Sequence, residues 1–183
     1  QPILTNLLSG PILNEKVTFK QWTGAFLGFV GAALVLGLDL GEEIPTFGLI
    51  ATIIALIAIT TSTIWQKKLS NNLPLSVSNF YQAIGGCLFH LLIVIFFTRA
   101  FIDFNITFFV AMSHQIFLVS FGAFTILMFL IKKNSASKTV SIFFLIPATS
   151  ALMAWFFLEE SLTVTDLIGF LIASIGVYIA TRD

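Results

Sequence analysis

Charge is scarce in this chain. Charged side chains make up 10% of its 183 residues, against about a quarter in a soluble domain, and that is too little polar surface to cover a water-soluble particle. The formal net charge is +0, so no nucleic acid and no acidic macromolecule is implied as a partner. Cys87 is the single cysteine, which excludes an internal disulfide and a thiolate metal cage. There is no phosphate-cradling glycine loop, no HExxH pair, no pair of intramembrane aspartates and no motif that marks a serine as nucleophile. The expectation is no catalytic residue, no metal site and no cofactor.

Apolar residues fill the chain instead, at 57%. They form long runs with the charges between them, which is where a bilayer core of about 30 Å would force charges to sit. Runs near 21–38, 46–65, 75–98, 112–131, 139–158 and 164–181 are each long enough to cross as helices. QPILTNLLSGPIL, residues 1–13, is too short to cross at about 1.5 Å per residue. It also lacks the charged n-region and small-residue cleavage site of a signal peptide, and it reads as the end of a helix. RAFIDFNITFF, residues 99–109, is semi-apolar and is expected to lie along the interface rather than to cross. Gly41 with Pro45, and Asn71 and Asn72 with Pro74, punctuate loops. The fold class expected is an all-α polytopic membrane bundle of six full spans plus the end of a seventh.

Lysine and arginine set the orientation. If alternate connections fall on opposite sides, one side holds Lys16, Lys20, Lys67, Lys68, Lys132, Lys133, Lys138 and Arg182, and the other only Arg99. The positive-inside rule makes the first side cytoplasmic, with the C-terminus on it. Most acids, namely Asp39, Glu42, Glu43, Asp103, Glu159, Glu160 and Asp166, fall on the second side.

Sliding the chain against itself finds one ungapped offset, 145 residues. At that offset Pro2, Leu7, Leu13, Glu15, Thr18, Gly24 and Gly31 match Pro147, Leu152, Leu158, Glu160, Thr163, Gly169 and Gly176. Each copy is a helix with a proline, a Leu-x-Glu-x-x-Thr turn, and a glycine-bearing helix. The turn containing Glu15 carries two lysines and reads cytoplasmic, whereas the turn containing Glu160 carries none and reads external. The copies therefore point opposite ways, the construction of many secondary transporters.

The repeated Pro…Leu-x-Glu-x-x-Thr…Gly…Gly block resembles the end of each EamA-type repeat in the drug/metabolite transporter superfamily. The resemblance implies two five-helix repeats, ten helices in all, with both termini cytoplasmic and the protein in the cell (inner) membrane. Residues 1–38 would be the end of the first repeat, with part of helix four and helix five. Residues 39–45 would be an external linker, and 46–183 the second repeat, helices six to ten. A parent of roughly 290 residues follows from the repeat length, so the missing N-terminal helices of the same protein are an expected partner, beside the lipid bilayer and a small-molecule substrate. The oligomeric state is not legible. The implied function is alternating-access export of amino acids or other small organic metabolites, at a site between the repeats near the midplane. The alternatives are a lipid-handling, flippase-like transporter and a membrane-embedded enzyme.

Several residues can serve such a site, each with a structural reading beside it. Pro2 and Pro147 remove a helical hydrogen bond and free a carbonyl. Matching interruptions in the two halves point to a binding site, with Asn6, Thr149 and Ser150 as polar contacts, or else to kinks satisfied by hydroxyl back-bonding. Thr61, in the run Thr60–Thr63, and Gln82, beside Tyr81, either line a cavity or glue helices together. His90 is the one ionisable residue close to mid-span; it is either a proton relay or a neutral, hydrogen-bonded histidine. Gly24, Gly28 and Gly31, with Gly169 and Gly176, set small residues on one helix face and read as packing positions. Thr18 with Gln21 and Thr163 with Asp166 have capping-box spacing. Glu15 and Glu160 just precede those caps, either as structural carboxylates at the start of the following helix or as members of a gating ion pair.

Overall fold

The computed structural model describes residues 1–37, 45–70, 73–97 and 101–182. Most of the expected external linker, with Asp39, Gly41, Glu42 and Glu43, lies outside the described residues, as do Asn71, Asn72, Arg99 and Asp183. Seven helical rods occur among the described residues. They are α1 (Pro2–Leu13), α2 (Phe19–Leu36), α3 (Thr46–Ser70), α4 (Leu75–Phe97), α5 (Ile106–Lys133), α6 (Ala136–Leu158) and α7 (Val164–Thr181). All but α1 are long and apolar enough to cross a membrane.

The fifth span is longer than its apolar run indicates. Ile106–Phe109, within the stretch expected to lie along the interface, form the first turn of α5. The physical reason is a cap: the Asn105 side chain accepts from the Phe108 N–H at 2.8 Å and so starts the helix ahead of the uninterrupted apolar run. Within α5, His114–Ala123 is wound as a π-helix. In α3 the polar run stays helical because Thr60 and Thr63 return their hydroxyls to the carbonyls of Leu56 and Ile59.

The chain divides into two compact units. The first comprises residues 1–68 and 134–183 and is built on the pair α2 and α7. A Cβ on Gly24 would lie 2.5 Å from the Gly176 carbonyl oxygen and 2.6 Å from the Ala180 nitrogen. One on Gly31 would lie 2.4 Å from the Ala173 nitrogen and 2.6 Å from the Gly169 carbonyl oxygen. The start of α2 thus meets the end of α7 and the end of α2 meets its start, so the two helices run antiparallel at backbone contact. Gly28 is capped by the Phe144 ring, and a Cβ there would lie 2.5 Å from Phe144 Cδ2. The core around this seam is small: Ala25, Ala32, Phe144 and Val177.

The turns that lead into α2 and α7 are duplicates in three dimensions. Asn14 and Glu159, 145 positions apart, both take left-handed backbone, with φ of 55° and 57°. The next N–H in each copy donates six residues back, Glu15 to Ser9 at 3.3 Å and Glu160 to Ala154 at 3.4 Å. Thr18 with Gln21 and Thr163 with Asp166 then form complete capping boxes. Two copies of one local structure, leading into antiparallel helices, make an inverted-topology repeat.

The second unit, residues 69–133, pairs α4 with α5. Lys132 at the end of α5 donates to the Leu73 carbonyl just before α4, at 3.0 Å, which makes this pair antiparallel too. Elsewhere large apolar side chains face outward, among them Ile54, Ile57, Phe96, Phe97 and Phe121. Buried positions include Thr5, Asn6, Ser9, Gln21, Ser137 and Ser141. Apolar outside with polar inside is stable only where the solvent is hydrocarbon.

Candidate functional site

The buried polar groups of the first unit gather at its lysine-rich end. Asn6, 2% exposed, sits on α1. Its Nδ2 donates to the Gln21 carbonyl at 3.3 Å, and its Oδ1 accepts a short hydrogen bond from the Ser137 hydroxyl. Gln21 is shared between two tasks. Its Oε1 accepts from the Thr18 N–H at 2.7 Å, completing the cap of α2, while its Nε2 reaches Ser135 Oγ at 3.5 Å. At the other end of α1, Gln1 Nε2 donates to Thr63 Oγ1 at 3.0 Å.

Glu15 completes the cluster from the turn between α1 and α2. Its carboxyl oxygens accept from the Ala136 N–H at 3.1 and 3.3 Å, so it caps the start of α6, 121 residues away, and not the helix that follows it. Ser135 is the local cap of α6 through the Lys138 N–H. Lys67, at the end of α3, places its charge near Glu15 and donates from Nζ to the Asn134 carbonyl at 2.6 Å. Burial pushes the Glu15 carboxyl above its ordinary 4.5. The Ala136 N–H, the Lys67 charge and the Ser137 N–H pull the other way without offsetting it.

A raised value means that the folded protein holds the Glu15 proton more tightly than the unfolded chain does. The stability Glu15 contributes is therefore fully present below about 4.5 and is lost as pH rises through the raised folded value. Thermal unfolding in detergent from pH 4 to 7 is expected to show this loss in the parent and a flatter profile in Glu15→Gln, which cannot titrate. Identical profiles would refute the assignment.

Thr149 and Ser150 lie just past the middle of α6, towards the end away from the Glu15 cluster. With Met153, Ala154, Phe157 and Leu158 they line an open groove of about 660 Å³. Pro147 stands just before them. The stretch that precedes it, Ile142–Leu145, is a 3-10 turn in which the Phe143 carbonyl takes the Ile146 N–H, because Pro147 has none to offer. The Thr149 hydroxyl then back-bonds to the Leu145 and Ile146 carbonyls, both at 3.0 Å. Pro2 occupies the first position of α1.

The remaining sequence candidates are dispersed. Thr61 is exposed, and its neighbours Thr60 and Thr63 are the buried hydroxyls. In the second unit, Gln82 donates to the Ser78 hydroxyl at 3.2 Å along its own helix. His90 is exposed on α4, its Nδ1 2.8 Å from the Gly86 carbonyl, an acceptor that requires the hydrogen on that nitrogen. Asn6 is thus brought together with Glu15 and Gln21, and Thr149 with Ser150, while Thr61 is exposed and Gln82 and His90 belong to the second unit. Sequence reading passed over Ser135 and Ser137. Their one signal is the Ser-x-x-Lys spacing of a helix start, which announces a cap but not a partner on α1.

These features match a known family. The profile of the EamA-like transporter family covers residues 46–182. The chain belongs to that family. It is 28% identical over 175 residues to the uncharacterized transporter YvbV of Bacillus subtilis (strain 168), an alignment covering 94% of the chain and 57% of the relative. A second relative, the uncharacterized transporter YyaM of the same organism, is 27% identical over 190 residues, covering 98% of the chain and 61% of that protein. The chain therefore spans about three fifths of the length of these relatives. No solved structure matches. Six apolar helices and the family together make this EamA-like chain part of an integral, multi-pass membrane protein.

Proposed function

We propose that the whole protein is a secondary transporter that exports small organic metabolites or amino acids by alternating access between two inverted repeats. In this reading residues 1–38 end the first repeat, 39–45 link the repeats outside the cell, and 46–183 form the second. The lysine-rich end and the C-terminus face the cytoplasm across the inner membrane, and further helices preceding this chain complete the substrate site. The observation that carries the proposal is the duplicated Leu-x-Glu-x-x-Thr turn, whose copies feed the antiparallel helices α2 and α7. Repeats related in this way exchange conformations when one rocks against the other, exposing a central site to each side in turn. The groove beside Thr149 and Ser150, with Pro147 interrupting the helix just before it, supplies hydroxyls and loosened backbone on the second-repeat side of such a site.

The test is efflux from vesicles carrying the whole protein, screened over a panel of amino acids and other small metabolites. Saturable flux of at least one solute is expected. Ser150→Trp, which fills the groove from an exposed position, is expected to lower that flux at least about tenfold while leaving the size-exclusion profile unchanged. Absence of saturable flux for every solute, from protein that folds normally, would defeat the transport reading.

A further inference from the structure

Four hydrogen bonds of the polar region share a property that their local descriptions do not reveal: they cross from one repeat to the other. Asn6 to Ser137, Glu15 to Ala136, Gln21 to Ser135 and Gln1 to Thr63 all join α1, α2 or the turn between them to α3 or the start of α6. Three of the four converge on residues 135–137. Their acceptors and donors are buried or half-buried, so parting them exposes polar groups that only water can then satisfy.

The largest contact between the repeats, the seam of α2 and α7, is of a different kind. Glycine and alanine backbones form it, and its centre lies between Gly28 and Ala173, which are themselves equivalent positions of the 145-residue repeat. A smooth seam on the repeat axis can tilt without breaking specific bonds. A cross-repeat polar cluster at one end cannot; it is either made or broken. At the other end the equivalent carboxylate, Glu160, is exposed, and none of the described residues hydrogen-bonds its side chain.

We infer that the cluster of Asn6, Glu15, Gln21, Ser135, Ala136 and Ser137 is a gate latch at the lysine-rich end, made when that end is closed and broken when it opens, with the α2–α7 seam as pivot. This rests on the transport reading above. Glu15 is a positioning residue of the latch: it holds the N-terminal turn of α6 against the α1–α2 turn and touches no substrate.

Two arms test it, both in the whole protein after removal of Cys87 and any other cysteine. In the first, the pair Asn6→Cys and Ser137→Cys is oxidised in vesicles. The cross-linked protein is expected to lose at least about tenfold in flux and to regain it on reduction, whereas flux unchanged by a verified cross-link overturns the latch. The second arm needs no substrate, so it still decides the matter if no transported solute is found and the transport reading fails. Ser9→Cys, at a fully buried position on α1, is probed with a membrane-impermeant maleimide from the lysine-rich side. Glu15→Gln keeps an acceptor for the Ala136 N–H and is expected to label as slowly as the parent. Glu15→Ala removes the acceptor and is expected to label at least about tenfold faster. Equal labelling of the two variants overturns the proposal, because a merely structural Glu15 would shift stability without changing access.

Discussion

Gly31→Val is expected to prevent recovery of most of the folded protein. The atoms that a Cβ would meet at Gly31 are the Ala173 nitrogen, the Gly169 oxygen and the Ala173 Cα, all within 2.8 Å and all backbone. No side chain can rotate aside, so α7 itself must retreat from α2. Overpacking a close-packed interior costs about 1–3 kcal/mol, which is a shift of roughly five- to 150-fold in the folded-to-unfolded ratio. Valine adds two methyl groups beyond that first carbon, which puts this site at the upper end. Gly85→Val is the control. It is also a helical glycine turned to valine, but nothing lies within 4 Å of its Cβ position, and its recovery is expected to match the parent. Fluorescence-detected size exclusion in mild detergent checks both variants. Equal recovery would mean that α2 and α7 do not meet at backbone contact, and the inverted repeat would lose its structural centre.

Asn6→Leu is expected to be nearly as damaging, for an opposite reason. Leucine has the branched outline of asparagine, so the site is little overfilled; what changes is that the Ser137 hydroxyl and the Gln21 carbonyl lose their partner in a buried place. Interhelical hydrogen bonds in membrane proteins contribute only about 0.6 kcal/mol on average. Orphaning a buried polar group costs more, about 1–3 kcal/mol, and that effect decides here because the buried Ser137 hydroxyl loses its acceptor, whereas the Gln21 carbonyl keeps its bond within α2. A fall of several degrees in the unfolding midpoint is expected. Adding Ser137→Ala removes that orphan and should recover part of the loss, a coupling that a double-mutant cycle measures. Strictly additive effects would show that Asn6 and Ser137 do not interact. Neither residue titrates, so this loss persists at every pH and is separable from the pH-dependent contribution of Glu15.

Much of the fold was legible from the chain alone. Transfer of side chains from water to hydrocarbon is a property of local composition, so the six spans fall where the apolar runs lie. The ends of α4 and α7 stand within a residue of their expected limits, and those of α2 are displaced by two. Capping is local as well, and Thr18 with Gln21 and Thr163 with Asp166 bond as their spacing requires. The start of α5 was missed because one cap, Asn105, outweighed the polarity of its surroundings.

The chemistry of the interior was not legible in this way. Thr60 and Thr61 are neighbours with the same side chain, yet one is buried and the other exposed, because successive helical residues point about 100° apart and only the packing of α3 selects the inward face. Glu15 could be read as a carboxylate near a helix start, but the helix it caps begins 121 residues later. Composition and spacing were enough to show what must leave water, where most helices begin, and that one structural unit occurs twice in opposite directions. Which polar groups meet was settled by packing alone, since a hydrogen bond depends on a separation of about 3 Å that no pattern along the chain encodes.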